Sequence, residues 1–233
     1  MENEEILVVD DDKDIADLVE IHLVSEGYTV LKANTANEGI SILKTADIKL
    51  VILDIMMPGM DGLDMCKEIR ETSTIPIIML SAKSSDLDKI IGLGAGADDY
   101  VIKPFNPLEL TARVKSQLRR YTTFNPCSND KKQGKEIVLA HLSIIKENHK
   151  VCAYGRDVKL TPIEFDILYL LASNVGRVFS TDEIFERVWN EKMYEANNTV
   201  MVHIRRIREK IEMNSYKSQI IKTVWGVGYK IEQ

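Results

Sequence analysis

Four consecutive apolar residues, Leu50-Val51-Ile52-Leu53, run without interruption into a single carboxylate, Asp54. A strand with one face in water alternates apolar and polar side chains, so an unbroken run belongs to a strand covered on both faces. Ile6–Val9 and Ile75–Leu80 read the same way, and Tyr28–Ala33 and Tyr100–Ile102 are further strand-like segments. Stretches with helical spacing lie between them. Asp14–Glu26 carries Ile15, Leu18, Val19, His22 and Leu23 on one face and is stopped by Gly27. Thr35–Lys44, Leu63–Arg70, Asp86–Leu93 and Pro107–Arg120 follow, the last opening on a proline whose missing N–H costs nothing in a first turn. Five strands alternating with five helices predict an α/β doubly wound parallel sheet. Chemistry in such a sheet gathers beyond the carboxyl ends of the strands.

The residues at those ends are Asp10-Asp11-Asp12, Asp54, Ser81 and Lys103. Carboxylates brought together repel one another unless a cation neutralises them, and hard oxygen ligands with room for water suit Mg²⁺. A metal ion and Lys103 would neutralise phosphoryl oxygens, Ser81 would donate a hydrogen bond, and Asp54 would attack phosphorus to give an acyl phosphate. Taken singly, an aspartate after a strand is ordinarily a turn or cap residue, and Asp12 is read as the cap of the next helix. The coincidence at four strand ends is what favours a site.

The net charge of −6 argues against nucleic acid, but it averages two unlike halves. Residues 1–120 hold 13 Lys/Arg against 22 Asp/Glu; residues 121–233 hold 17 against 14. An acidic half joined to a basic half suggests two jobs. The polar stretch TTFNPCSNDKKQG, residues 122–134, reads as a flexible linker between domains at 1–121 and 135–233. Beyond it come short strand-like runs at Ile137–Ala140, Ser143–Lys146, Lys150–Tyr154 and Val158–Leu160, then three helices and a hairpin at 220–231. Thr161 and Ser180 cap the first two helices, with Glu164 and Glu183 placed to close capping boxes. The third, from about Ala196 to Ile211, turns Val200, Ile204, Ile207 and Ile211 inward. That leaves Asn198, Thr199, Val202, His203, Arg205, Arg206 and Arg208 for solvent or phosphate, a face suited to a major groove or to nothing more than water.

These motifs carry a resemblance. ILVVDDD (6–12), VILDIMMPGMDG (51–62), PIIMLSAK (76–83) and GADDYVIKPF (96–105) resemble the receiver domain of response regulators. LTPIEFDILYLLASNVGRVFS (160–180), NTVMVHIRRIREKI (198–211) and IKTVWGVGYKI (221–231) resemble the winged-helix effector domain of the OmpR/PhoB subfamily. Taken together the two halves look most similar to VanR-type regulators of glycopeptide resistance. The resemblance implies a flavodoxin-like (βα)5 receiver followed by a winged helix-turn-helix domain. It implies that a sensor histidine kinase phosphorylates Asp54, that Asp10, Asp11, Asp54 and the Met56 carbonyl hold Mg²⁺, and that Ser81 and Tyr100 form a switch, Tyr100 swinging inward. Lys103 and Pro104 would be joined by a cis peptide. Phosphorylation would favour a homodimer pairing Lys89 with Glu109, Asp98 with Lys115 and Asp99 with Arg113. The effector would bind double-stranded promoter DNA through Asn198, Thr199, Val202, His203, Arg205, Arg206 and Arg208, with Thr223, Trp225 and Tyr229 near the wing. Trp225 stands where some members carry an arginine. Residues 190–195 would meet RNA polymerase.

Two other classes stay open on the residues alone: a Mg²⁺-dependent phosphohydrolase with an aspartyl-phosphate intermediate, and a DNA-binding protein indifferent to phosphorylation. An enzyme acting on external substrates is not expected, since no specificity cap is evident. The acidic start, Met1–Glu5, lacks the features of a signal peptide, no run approaches membrane-spanning length, and the chain is expected in the cytoplasm, away from membranes. Cys66, Cys127 and Cys152 are widely spaced and odd in number, as unpaired thiols in a reducing compartment would be, and His22, His141, His149 and His203 make no metal-binding spacing.

Overall fold

The computed structural model describes residues 4–82, 86–124, 136–139, 141–190, 199–213 and 220–232. The chain divides into two compact units, 1–121 and 122–233.

In the first unit β1 (Glu5–Val9), α1 (Lys13–Ser25), β2 (Thr29–Ala33), α2 (Ala36–Leu43), β3 (Ile48–Asp54), α3 (Gly62–Thr72), β4 (Ile77–Ser81), α4 (Asp86–Ala95), β5 (Asp99–Ile102) and α5 (Pro107–Phe124) alternate as the apolar runs predict. All neighbouring strands are parallel, in the order β2-β1-β3-β4-β5. This is the flavodoxin-like order, with the reversal between β1 and β3. Alternate residues of each strand serve opposite layers. Ile6, Val8, Leu50, Ile52, Ile78 and Leu80 pack with Ala16, Val19 and Leu23 of α1 and Leu110, Val114 and Leu118 of α5. Val9 and Met79 point the other way, towards Gly39 of α2 and Gly92 of α4. Asp12 caps α1, accepting from the amides of Asp14 and Ile15. Helix α5 runs four residues beyond Arg120. Residues 122–124, read as the start of the linker, continue it because no breaker intervenes before Pro126. The rest of that stretch lies outside the described residues.

The second unit opens with the antiparallel sheet β6 (Glu136–Leu139), β7 (Leu142–Ile145), β8 (Lys150–Ala153) and β9 (Arg156–Val158). Then come α6 (Pro162–Ala172), α7 (Thr181–Trp189), α8 (Thr199–Ile211) and the hairpin β10 (Ile221–Val224) and β11 (Gly228–Ile231). One core joins the inner face of the sheet to all three helices and the hairpin. The capping box of α6 is complete. Ser180 caps α7, while the Glu183 carboxylate serves Arg177 and Arg187. Three helices between a sheet and a hairpin form the expected winged helix-turn-helix.

Candidate functional site

Because β1 and β3 are neighbours, their carboxyl ends open on one crevice. There the ligand oxygens of Asp10, Asp11 and Asp54 lie within 4.8 Å of one another. Asp10 and Asp54 are buried and Asp11 is exposed. Lys103 reaches across from the end of β5, its Nζ 2.7 Å from Asp10 Oδ2 and 2.6 Å from Asp54 Oδ1. Three carboxylates facing one ammonium leave an excess of negative charge. Burial pushes the Asp10 carboxyl above its ordinary range, against the pull of Lys103 and of the Asp12 amide. Burial disfavours the Lys103 charge, but the two carboxylates outweigh it and lift its pKa. The side chain of Met56 is exposed on the loop after β3. That loop folds back tightly: Gly62 N donates to Ile55 O at 3.0 Å, and a Cβ on Gly62 would lie 2.0 Å from the carbonyl oxygen of Asp54. Gly62 of the motif is therefore a packing requirement of the site's floor, while Asp61 caps α3, accepting from Asp64 N. The Lys103–Pro104 peptide is cis.

Ser81 ends β4 and is fully buried. Its carbonyl accepts from Lys103 N at 2.7 Å, which ties the ends of β4 and β5 together. Its hydroxyl shares a hydrogen bond with that of half-buried Tyr100, whose pKa burial raises and this bond lowers. The Tyr100 ring lies beside Gly92 of α4, where an added Cβ would come within 3.1 Å of it. The Tyr100 side chain thus lies between Ser81 and α4.

In the second unit the broad polar face expected of α8 is corrected. Val202, His203 and Arg206 are buried, as is Thr199. Helix α8 packs against both α6 and α7, so its interior face is wider than one apolar stripe indicates. His203 sits 5.5 Å from the Trp189 ring. Arg206 makes an ion pair with Glu164 at 2.8 Å, and Lys210 meets the other oxygen of Glu164 at 2.6 Å. Glu164 has no exposed surface, yet Arg206, Lys210 and the Thr161 amide overcome the cost of burial and hold its carboxyl below the usual range. Arg208 turns towards the wing, donating to Ile221 O at 2.7 Å and Thr223 Oγ1 at 2.9 Å, with its guanidinium 5.8 Å from the centre of the Tyr229 ring. Tyr229 is itself buried. The outward stripe is Met201, Arg205 and Glu209, and at the wing tip Trp225 is 90% exposed. Asn198 and residues 191–195 lie outside the described residues. Sequence reasoning missed Glu164 as a partner of α8. Its place in a capping box was legible, but its second role needs α6 and α8 to be in contact.

Residues 6–115 match the response regulator receiver domain, and residues 155–231 match the C-terminal domain of transcriptional regulatory proteins. Regulatory protein VanR of Enterococcus faecium is 47% identical over 233 residues, which cover 99% of this chain and 100% of that protein. Regulatory protein VanRc of Enterococcus gallinarum is 48% identical over 231 residues, again 99% and 100%. The crystal structure of DrrB, a Thermotoga maritima OmpR/PhoB homolog, shares 35% identity, covers 99% of this chain and 100% of its own, and superposes with a TM-score of 0.50. The chain belongs to the OmpR/PhoB family of response regulators. It is a two-component response regulator and a transcriptional regulator rather than a classical enzyme, and its two domains imply a histidine kinase and DNA as partners. Among the described residues no helix is long and apolar enough to cross a membrane.

The α4–β5–α5 face of this OmpR/PhoB member departs from the expected dimer pairing at one position. Asp98 is fully buried, and its Oδ2 accepts from Arg70 Nη2 at 2.6 Å and from Ile77 N at 3.0 Å. Arg70 also donates to Gly96 O at 2.8 Å and Ile75 O at 2.7 Å, so the pair locks α3 to the start of β5. Asp98 is thus withdrawn from the face, held by an arginine far away in sequence. Arg113 meets Asp99 at 3.0 Å and Glu109 at 2.9 Å within the chain, and Lys115 meets Glu26 at 2.6 Å. Lys89 is half-buried on α4.

Proposed function

We propose that a sensor histidine kinase passes a phosphoryl group to Asp54, and that the phosphorylated chain dimerises and binds promoter DNA to control transcription. The observation that carries this reading is the Lys103 ammonium touching both Asp10 and Asp54 inside a cluster of three carboxylates. The negative excess and the all-oxygen donor set fit Mg²⁺, with Asp10, Asp11, Asp54 and the Met56 carbonyl as its holders. Bound there, the ion would neutralise charge on the phosphoryl oxygens. Asp54 supplies the attacking carboxylate oxygen. Lys103 neutralises a phosphoryl oxygen once the acyl phosphate has formed, and Ser81 offers its hydroxyl to another. Drawing Ser81 that way breaks its bond with Tyr100 and so biases the α4–β5–α5 face. Lys89 with Glu109 and Asp99 with Arg113 would pair across the dimer. The Lys89–Glu109 pair contributes only about 0–1 kcal/mol, and buried Asp99 already holds Arg113 within its own chain, so the set selects a partner more than it binds it.

On DNA, Arg205 and Met201 face the groove, and residues 190–195 meet RNA polymerase. Arg206, His203, Val202, Thr199 and Tyr229 support the reading surface, and Arg208 and Thr223 contact the backbone where the wing begins. The chain works in the cytoplasm, and the likeness to the VanR proteins points to promoters of glycopeptide-resistance or cell-envelope genes. The test is incubation with Mg²⁺ and acetyl phosphate, followed by genome-wide binding in the native cell. Wild type acquires label and occupies discrete promoters; Asp54→Ala acquires none and leaves them largely vacant. Equal occupancy by the two proteins would falsify the reading in favour of phosphorylation-independent binding.

A further inference from the structure

Helices α2 and α3 close on one another near the phosphoryl site and leave a cleft at the far end of the sheet. Beside Val9, at the carboxyl end of β1, Gly39 lies so near Met65 that an added Cβ would fall 2.7 Å from Met65 Cε. Helix α2 then ends at Leu43, and the chain turns into the amino end of β3. The cleft there has a volume of about 410 Å³. That falls inside the roughly 300–1,000 Å³ of small-molecule sites.

Its floor and walls are apolar. They come from Ile40 and Leu43 of α2, Ile48 of β3, Ile69 of α3, Ile75 before β4 and Tyr121 of α5. Ile48, Ile69 and Ile75 are buried, whereas Ile40, Leu43 and Tyr121 are half-buried and keep apolar surface that a guest would cover. The whole of β3, seven residues, separates this cleft from Asp54. A strand of that length spans roughly 20 Å, so a guest here does not compete with a phosphoryl group.

Charge at the rim selects the guest. Asp47, Glu68 and Glu71 line the cleft against one base, Lys44, among the described residues. Asp47 is already paired with Lys49 at 2.6 Å. Glu68 and Glu71 are exposed on α3, and among the described residues neither forms an ion pair. The rim thus holds more negative charge than its own bases offset, and it attracts a cation over an anion. Solvent screens exposed carboxylates, so the preference is modest. An aromatic ring among the walls favours the same sign, because the face of a tyrosine attracts cations.

We propose that this cleft binds a small amphipathic cation, an apolar body carrying an ammonium group. The apolar body rests against Ile48, Ile69 and Tyr121, and the ammonium stays at the rim towards Glu68 and Glu71. The site gives the receiver a ligand that its phosphorylation does not require, and it stands apart from the kinase and DNA readings above.

The experiment uses the full chain, labelled at its isoleucine methyl groups, with phenethylammonium as the probe. Methyl NMR should show the signals of Ile40, Ile48, Ile69 and Ile75 shifting together. Those of Ile6 and Ile52, in the layer between the sheet and α1 and α5, should stay in place. A probe this small should bind with a Kd of about 1 mM. Phenylpropionate, of like shape and opposite charge, should bind about fivefold more weakly. In the protein carrying both Glu68→Gln and Glu71→Gln, the affinities of the two probes should come within about twofold of each other. Acetyl phosphate should still label Asp54 in that protein, which shows that its receiver is folded. Four methyl groups unmoved by the amine overturn the proposal, as do equal affinities of wild type for the two probes. A charge preference that survives loss of both glutamates overturns the role given to the rim. Shifts with a short peptide of leucines and arginines, and none with the amine, make the cleft a protein contact and overturn the proposal too.

Discussion

A lysine that touches two carboxylates competes with any cation that would use them. Lys103 lies 2.7 Å from Asp10 and 2.6 Å from Asp54, so its charge opposes a divalent ion before phosphorylation and helps the phosphoryl group afterwards. The two roles separate in Lys103→Ala. Losing a like charge worth about 1 kcal/mol at a partly solvated site should tighten Mg²⁺ binding roughly fivefold by calorimetry, while labelling from acetyl phosphate slows. Weaker Mg²⁺ binding in the variant would mean that Lys103 builds the metal position rather than competing for it. The clustering of these acids is legible in the sequence because a parallel sheet sends every strand end to one edge. The role of Asp98 is not. It also follows a predicted helix and precedes a strand, but what decides its role is Arg70, which reaches it only once the chain has folded. His203 and Arg206 misled for a related reason. Polar residues on an amphipathic helix read as solvated unless another helix covers them, and spacing along α8 alone reveals neither α7 beside His203 nor α6 beside Arg206.

At the scale of elements, α8 is held to α6 by charge as well as by apolar packing. Glu164 is the hinge of that contact, facing Arg206 and Lys210 while closing the cap of α6. Its folded-state pKa is depressed, so the native state holds on to the charged form more strongly than the unfolded chain does. The stability this provides is fully present above the pH at which a free glutamate titrates. It is lost as pH falls through the lower folded value. Both tryptophans belong to the second unit, so their emission follows the unfolding of that unit within the intact chain. Denaturant titrations by tryptophan emission should show wild-type stability falling on acidification below the free-glutamate range. Glu164→Ala should be destabilised by about 3 kcal/mol at neutral pH, because it removes the buried carboxylate that Arg206 and Lys210 face, and it should lose much of this acid dependence. An acid profile identical to that of wild type would mean that other carboxylates carry the transition. The element boundaries were legible where a cap or a glycine stops a helix. They slipped at the end of α5, where nothing in Thr122-Thr123-Phe124 forbids another turn.

For the whole molecule, charge sets a puzzle that valency resolves. The receiver side, residues 1–120, carries nine more acidic than basic residues, whereas residues 121–233 carry three more basic than acidic. Phosphorylation adds about −1.5 to −2 to the acidic side. By charge alone, then, the phosphorylated chain should be drawn to DNA less strongly than the unmodified one. If it binds more tightly, the gain has to come from somewhere other than electrostatic attraction by a single chain. Joining two chains supplies it, since the second half-site is then met at high effective concentration. Doubling the chains also doubles the phosphates contacted, and each contact releases counterions. The dependence of log affinity on log salt should therefore be about twice as steep for the phosphodonor-treated wild type on a two-site duplex as for Asp54→Ala on a single site. Fluorescence anisotropy across about 50 to 200 mM salt measures both slopes. Equal slopes combined with tighter binding would place the gain within one chain and rule out dimerisation as its source.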